Sequence, residues 1–195
     1  MSLFYGDDFI NKDEIKPNYN TNNILYYSAI GHLFYKNTEL HSAKNLILPN
    51  KIAEECYSYM FYNCSALIEA PDLPATKLAF NCYSYMFSNC TSLTEAPDLP
   101  ATELANYCYN SMFYGCTSLV NAPELPATEL TSYCYTSMFY GCTSLIKAPE
   151  LPALYLTPGC YQEMFANCTS LTEEPDLPAI ELGVDSYKDM FDVYL

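Results

Sequence analysis

Ten cysteines are the residues of this chain with the widest range of chemistry, because a thiol can bind metal, form a disulfide or act as a nucleophile. They form two columns that recur at one constant spacing, and the pair within each unit is spaced C-x7-C. A zinc site needs closer cysteine pairs or histidine partners, so the spacing argues against metal. We predict buried, reduced thiols that act as small apolar side chains, with disulfides between neighbouring units as the alternative. The columns are Cys56, Cys82, Cys108, Cys134 and Cys160, then Cys64, Cys90, Cys116, Cys142 and Cys168.

An acidic side chain also recurs once per unit, and stacking of the units would place these carboxylates in one column. The members of this acidic column are Asp72, Asp98, Glu124, Glu150 and Asp176. Stacked carboxylates repel one another and attract Ca²⁺, which prefers several oxygen ligands. A ladder of single carboxylates offers few converging oxygens, so we predict a solvated face and no metal site. Calcium binding stays open as the alternative.

Catalytic residues are not predicted. The chain has two histidines, His32 and His41, and it has no arginine and no glycine-rich phosphate loop. A nucleophile, a base and an oxyanion donor cannot be assembled from these residues. We therefore predict a protein that is not an enzyme and that needs no cofactor.

Tyrosine is the residue type that best suits partner recognition, because it gives a large contact area at a low entropic cost. One tyrosine column, from Tyr57 to Tyr187, is present in every unit and is predicted to be half buried with its hydroxyls at the surface. Other tyrosines occur in only some units, and we predict that they bind a partner, with partial burial between the predicted helices as the alternative. These are Tyr59, Tyr85, Tyr107, Tyr114, Tyr133 and Tyr140.

Residues 1–26 lie outside the repeat and carry aromatic and aliphatic side chains among Asp, Asn and Lys. Two interpretations are open for them: a disordered tail, or an extended arm that folds onto a partner. We predict an arm that anchors the protein through Phe4, Tyr5, Phe9 and Ile10.

The repeat indicates how these side chains are positioned. All regular units have the same length, and a constant period of about 20–50 residues is typical of a solenoid, in which each unit buries its apolar face by stacking on its neighbours. The third unit predicts a helix over 102–114, since Leu104, Cys108, Met112 and Phe113 fall near i, i+4, i+8 and i+9. Gly115, or Asn in other units, would end that helix in a left-handed conformation. A very short strand bracketed by Pro123 and Pro126 follows.

A Met-Phe pair, a Cys three residues after the Phe, a Leu three residues later and a Leu-Pro ending resemble the BspA-like, or Treponema-type, leucine-rich repeat. The resemblance covers residues 27–195, although the usual unit of that family is shorter. It implies an α/β solenoid with short parallel strands on one face and short helices on the other. It also implies a non-catalytic module for attachment or protein interaction at a bacterial surface.

The predicted organisation is an arm, an imperfect first rung over 27–55, regular rungs over 56–181 and a cap over 182–195. The first rung has Leu33-Phe34 in place of Met-Phe and Asn37 in place of the second cysteine. In the cap, Ser186 and Tyr194 replace the two cysteines, and its polar last turn favours a native C-terminal end.

Charge limits the partners. The net charge is −15, and residues 1–51 sum to zero, so the repeats carry all of it. Such a surface repels nucleic acid and anionic membranes, and no apolar stretch is long enough to span a bilayer. We predict a protein partner or a host surface ligand, and the alternative is a structural role in a larger assembly such as a phage virion. The compartment is unknown, because the start of the chain does not resemble a signal peptide and a signal could have been removed.

Overall fold

The structure, a computed structural model, describes residues 31–193. This whole range forms stacked rungs. Within that range the chain contains no helix and no strand. Each rung has a run of linked turns on one side and extended chain on the other. The turn runs cover residues 54–63, 80–89, 106–115, 132–141, 158–167 and 184–191.

Single-residue bridges join the extended sides of neighbouring rungs, and every one of them is parallel. The parallel direction agrees with the predicted strands, but each contact is one isolated bridge. A proline lies two or three residues from most of these positions, as Pro97 does from Glu95 and Pro100 from Glu103, and each proline removes a backbone donor and limits the ladder. The pairs are Ser42 with Glu69, Lys77 with Glu103, Glu95 with Asn121, Asn121 with Lys147, Lys147 with Glu173, and Tyr155 with Glu181.

The turn runs satisfy their backbone by alternating between two kinds of hydrogen bond. Even-numbered N–H groups of the run 54–63 bond within the rung, as from Met60 to the carbonyl of Tyr57 at 3.2 Å. Odd-numbered N–H groups bond to the next rung, as from Phe61 to the carbonyl of Met86 at 2.9 Å. Backbone groups in the interior must be paired, and this alternation pairs them without a helix.

The prediction of short helices is therefore wrong, and the backbone dihedrals give the reason. In each run about every fourth residue has a positive φ, for example Glu55 at 56°, Tyr59 at 59° and Asn63 at 58°. An α-helix cannot contain left-handed residues at that frequency. The left-handed conformation predicted at Gly115 and its equivalents is confirmed, at φ 69° for Gly115 and 70° for Gly141. It ends the run of turns rather than a helix.

Pairs of inward apolar residues build the core, and the residues between these pairs are buried serines or half-buried side chains, such as Ser58 and Tyr59. Cys56, Tyr57, Met60, Phe61 and Cys64 are all fully buried in the first regular rung. Phenylalanines stack along the rod with ring centroids 5.2–5.7 Å apart, from Phe34 through Phe191. The predicted half burial of the periodic tyrosines is wrong for five of the six, because only Tyr187 is half buried. Tyr83, Tyr109, Tyr135 and Tyr161 each have a stacked tyrosine on both sides, and Tyr57 stacks on Tyr83.

The first described rung is longer than the others by one residue. Ser42 bridges Glu69, and these two residues are 27 positions apart in the chain. Glu55 occupies the position of Asn81, and this regular separation of 26 positions also joins Ser58 to the carbonyl of Ser84. The extra residue therefore lies between Ser42 and Glu55. The aromatic columns start in this rung regardless, since Phe34 stacks on Phe61 at 5.2 Å.

Candidate binding surface

The cysteines lie in the core, as predicted. All ten are buried free thiols. Thiols of the second column each donate to the carbonyl of a phenylalanine in the preceding rung, as from Cys116 to Phe87 at 3.1 Å. The same bond recurs from Cys64, Cys90, Cys142 and Cys168 at 3.0–3.2 Å. In the first rung Asn37 replaces the thiol, and its Oδ1 accepts the N–H groups of Glu39 and Leu40.

Burial makes these thiols poor nucleophiles. It raises the pKa of Cys56, Cys64 and Cys160 to about 11 and that of Cys168 to about 12. The same desolvation raises the pKa of the deeply buried Cys116 and Cys142 well above 9.0. The thiolate is the form of cysteine that reacts and binds metal. The two cysteine columns therefore stabilise the core and are not reactive sites.

Thiol labelling is expected to follow unfolding. At about pH 8 the native protein should react with almost none of a thiol reagent, since the groups are buried and protonated. In denaturant without reductant the count should be close to ten, the number of cysteines in the chain. Free cysteine titrated in the same buffer is the control. A denatured count of two or fewer would show that the cysteines form disulfides.

The acidic column is exposed at all five positions, as a solvated face requires. Two members, Glu124 and Glu150, line a shallow groove together with Lys147. Among the residues the structure describes, no three His, Cys, Asp or Glu side chains converge in a way that could hold a metal ion. The arrangement spreads negative charge along the rod rather than focusing it at one point.

Ion pairs on the extended side join residues of neighbouring rungs in more than one column. Ser42 donates to Glu69 at 2.7 Å and Lys44 lies 3.6 Å from the same carboxylate, and the Ser42 bond, followed by the Lys44 charge, lowers the pKa of Glu69. Lys77 pairs with Glu103 at 2.8 Å. These pairs are exposed and contribute little to stability.

Seven half-buried tyrosines lie in the turn runs, and we call them the tyrosine face: Tyr59, Tyr62, Tyr85, Tyr107, Tyr114, Tyr133 and Tyr140. At its N-terminal end, Tyr59 stacks on Tyr85 at 4.8 Å with an angle of 4° between the rings. His32 stacks on the other side of Tyr59 at 5.3 Å, and Tyr62 packs against Tyr59 at 5.5 Å. Tyr35 then stacks on Tyr62 at 5.2 Å. Five rings therefore form one continuous aromatic cluster.

Further along the rod the tyrosine face continues in two shorter stacks. Tyr107 stacks on Tyr133 at 4.9 Å, and Tyr114 stacks on Tyr140 at 4.6 Å. Asn167 donates from its side-chain amide to the hydroxyl of Tyr140 at 2.9 Å. Desolvation raises the pKa of Tyr114, followed by the charge of Tyr140, which agrees with a half-buried position. All six predicted repeat-surface tyrosines therefore lie in stacked pairs on the outer side of the turns.

Sequence reasoning missed His32 and Tyr35 as members of this cluster. They stack on Tyr59 and Tyr62, and in both pairs the separation along the chain exceeds the regular period by the extra residue of the first rung. A search at the regular period therefore does not find them. The predicted arm residues Phe4, Tyr5, Phe9 and Ile10 lie outside the described residues.

Parallel stacking of leucine-bearing rungs through one core defines the class of the protein as a leucine-rich-repeat solenoid. The sequence model for the BspA type leucine rich repeat region matches residues 22–172 in six copies. The chain belongs to that family, as the resemblance in its sequence predicted.

Solved structures similar to the chain come from three bacteria. A leucine rich repeat protein of Treponema pallidum is 21% identical with a TM-score of 0.49, over 84% of this chain and 70% of that one. A leucine rich cell surface protein of Faecalibacterium prausnitzii is 21% identical with a TM-score of 0.37, over 70% of this chain and 31% of that one. A leucine-rich repeat protein of Bacteroides ovatus is 18% identical with a TM-score of 0.33, over 75% and 46%.

The comparison with curated proteins found no match. Between residues 31 and 193 the chain forms no helix that is long and apolar enough to cross a membrane.

Proposed function

We propose that this chain is a non-catalytic module that binds another protein or a surface ligand at a bacterial surface, and that the tyrosine face is its contact surface. Membership of the BspA-type family supports an interaction role, because such repeats are generally scaffolds for protein interaction. The arrangement of the core supports the same role. Its reactive groups are buried in uniform columns, and they leave no cluster of unlike residues for catalysis on the surface that the structure describes.

The observation that carries the proposal is that four bulky tyrosines hold an unfavourable backbone conformation. Tyr59, Tyr85, Tyr107 and Tyr133 have φ values of 56–59°. A left-handed conformation costs about 1–2 kcal/mol for a residue with a Cβ, and Asn, Asp or Gly tolerates it better. Other rungs place smaller or more polar residues at these positions, such as Ser111, Asn81 and Gly159. The turn does not need tyrosine, so a function outside the fold accounts for it.

The exposure of these rings suits recognition. Each ring is half buried and stacked on a ring of a neighbouring rung, so binding fixes little additional side-chain freedom. The surrounding surface is acidic, since the repeats carry the whole net charge of −15. A partner with basic groups around an apolar centre would fit both features, and its charge would also speed association.

The arm at residues 1–26 is proposed as a second anchor, on the sequence alone. Its aromatic residues, Phe4, Tyr5 and Phe9, lie in a stretch with four acidic residues and two lysines, and residues 1–51 as a whole have no net charge. Burial of three aromatic side chains stabilises a complex by about 5 kcal/mol before the cost of ordering the arm. Docking of the protein into a larger assembly through this arm is the same proposal with a different partner.

A binding comparison of three variants tests these contacts. Labelled full-length protein is applied to an array of purified extracellular proteins and glycans, and each positive ligand is then titrated. We expect Tyr59→Ser combined with Tyr85→Ser to weaken binding more than about tenfold, since buried aromatic anchors carry most of the binding energy. Serine occupies the same position at Ser111 and Ser137, so the melting temperature should be unchanged or raised.

Two further variants distinguish the contributions of the acidic column and of the arm from that of the tyrosine face. Asp98→Asn combined with Glu124→Gln alters the acidic column and should change affinity by only a small factor. Deletion of residues 1–20 should leave the melting temperature intact and abolish attachment if the arm is the main anchor. Unchanged affinity in the tyrosine variant would reject the tyrosine face, and an unchanged affinity after the deletion would reject the arm.

A further inference from the structure

Six tyrosines of the tyrosine face form three pairs, each of which joins two adjacent rungs. Their ring centroids are 4.6–4.9 Å apart and their ring planes differ by only 4–6°. Among residues 31–193 no other two tyrosine rings lie as close, since Tyr35 and Tyr62 follow at 5.2 Å. The three pairs are Tyr59 with Tyr85, Tyr107 with Tyr133, and Tyr114 with Tyr140.

The stacking brings together the ring atoms at which phenols couple when they are oxidised. Adjacent rungs repeat the same backbone, so the two rings of a pair are related by almost a pure translation. Equivalent atoms of the two rings are then separated by about the centroid distance, and these include the Cε carbons next to each phenol oxygen. The torsion that rotates a tyrosine ring has a broad energy well, and these rings are only half buried. Small side-chain rotations therefore let two Cε carbons meet.

The periodic tyrosines of the core provide a contrast within the same chain. Tyr83, Tyr109 and Tyr135 are each 1% exposed, and their ring centroids are 5.7–5.8 Å apart. Close packing holds these rings in place and keeps dissolved oxidants away from them. Oxidative coupling is therefore expected on the tyrosine face and not in the core column.

Other residues that an oxidant would attack first are withdrawn from the surface. All ten cysteines are buried free thiols, and thiol oxidation follows exposure and thiolate character. The methionines from Met60 to Met190 are buried as well, and the chain has no tryptophan. Half-buried phenols are thus the main accessible electron donors of the described rungs.

We propose that the tyrosine face is a site of oxidative cross-linking, at which a one-electron oxidant couples tyrosines of adjacent rungs into dityrosine. Each phenol gives one electron to the oxidant and one proton to water, which leaves a phenoxyl radical. Two radicals form a bond between their Cε carbons. Each of these carbons then loses its hydrogen as a proton, and each oxygen takes up a proton, so both phenols are restored. With hydrogen peroxide and a haem peroxidase as the oxidant, two tyrosines and one peroxide give one dityrosine and two waters.

Cross-linking would change the rod without changing its composition of rungs. Each dityrosine joins two adjacent rungs covalently and closes one repeat of chain into a loop. A cross-link of this kind restricts the unfolded chain, as a disulfide does, so the melting temperature should rise. This role needs no binding partner, and it therefore goes beyond the proposed function and does not depend on it.

Peroxidase treatment of the full-length protein tests the proposal. Dilute protein is treated with a haem peroxidase and hydrogen peroxide, and the monomer is isolated on a denaturing gel so that links between copies are excluded. We expect the fluorescence of dityrosine in this monomer, faster migration of the looped chain and a higher melting temperature. Proteolysis and mass spectrometry should find the links Tyr59–Tyr85, Tyr107–Tyr133 and Tyr114–Tyr140.

Two triple variants locate the reaction. Tyr85→Phe, Tyr107→Phe and Tyr114→Phe together keep a ring at every position but remove one phenol from each pair, and this variant should lose most of the dityrosine fluorescence. The matched control, with Tyr83→Phe, Tyr109→Phe and Tyr135→Phe, removes three buried phenols and should react like the unmodified protein. Equal yields from the two variants, a treated monomer without dityrosine, or links found only at tyrosines outside residues 31–193 would overturn the proposal.

Discussion

The free energy of unfolding is expected to fall steeply above about pH 9, and the protein should unfold cooperatively by about pH 11. Burial raises the pKa of Cys56, Cys64 and Cys160 from 9.0 to about 11, and it raises those of Cys90 and Cys134 well above 9.0. The pKa values of the buried tyrosines, such as Tyr109 and Tyr135, are raised in the same way. These groups ionise in the unfolded chain and stay protonated in the folded one.

The direction of this pH dependence follows from the number of protons that the folded and unfolded states bind. Below pH 9 both states hold the thiol protons, so stability does not depend on these groups. Above pH 9 the unfolded state binds fewer protons, and each group then lowers the free energy of unfolding by about 1.4 kcal/mol per pH unit. Ten thiols together remove more than about 10 kcal/mol per unit, which is comparable to the whole stability of a domain, about 5–15 kcal/mol. Unfolding must therefore occur before most of the buried groups ionise.

Melting temperatures measured by circular dichroism from about pH 7 to pH 11 check this expectation. Tyrosinate absorbance recorded in parallel should rise in one step with unfolding, rather than gradually. Cys108→Ala removes one buried thiol and should reduce the slope of stability against pH by about one proton, which makes it the matched control. A melting temperature that stays constant through about pH 10.5 would contradict the argument.

Phe113→Ala is expected to be the most damaging single substitution in the aromatic columns. Phe113 is fully buried and stacks between Phe87 at 5.6 Å and Phe139 at 5.7 Å. Loss of the ring leaves a cavity in the middle of the rod and should lower the free energy of unfolding by about 3–5 kcal/mol. Because each rung contacts only its neighbours, the two halves should also begin to unfold separately, which broadens the denaturation transition.

Two other phenylalanines supply controls in the same chain. Phe191 is half buried and stacks only on Phe165, at 5.7 Å, among the described residues, so Phe191→Ala should cost about half as much or less. Phe80 is 41% exposed, and Phe80→Ala should change stability by at most about 1 kcal/mol. Urea denaturation followed by circular dichroism measures all three. Equal losses at Phe113 and Phe191 would refute nearest-neighbour stacking as the main source of stability.

The period of the sequence predicted the rungs and their inward residues, because each rung repeats the same side chains at the same depth. It did not predict the local backbone. Leu104, Cys108, Met112 and Phe113 follow a spacing of four, which fits an α-helix of about 3.6 residues per turn and a ribbon of turns almost equally well. Over so short a segment the two patterns hardly diverge. The prediction of which side chains face inward was therefore correct, and the prediction of a helix was wrong.

The sequence predicted the left-handed residues at one position of each turn run and did not predict them at another. At the end of each run the chain has Asn63, Asn89, Gly115, Gly141 and Asn167, the residue types that adopt positive φ readily. Four residues earlier it has Tyr59, Tyr85, Ser111, Ser137 and Glu163, which carry no such signal.

The depth of the periodic tyrosines was hidden for a different reason. A phenol is expected to keep its hydroxyl in water, yet Tyr83 is 1% exposed and its hydroxyl has no hydrogen-bond partner in residues 31–193. Stacking between identical rungs leaves a ring no room to tilt outward, and sequence alone does not report that restriction.

The alternating hydrogen bonds of the turn runs also determine how the rod responds to force. Bonds such as that from Phe61 to Met86 run along the axis, so a pull on the two ends loads the outermost rung first. Each regular rung would then peel away alone and release about 90 Å of chain. The protein would lengthen in equal steps at low tension and rewind when the tension falls, which makes it an extensible tether rather than a rigid post.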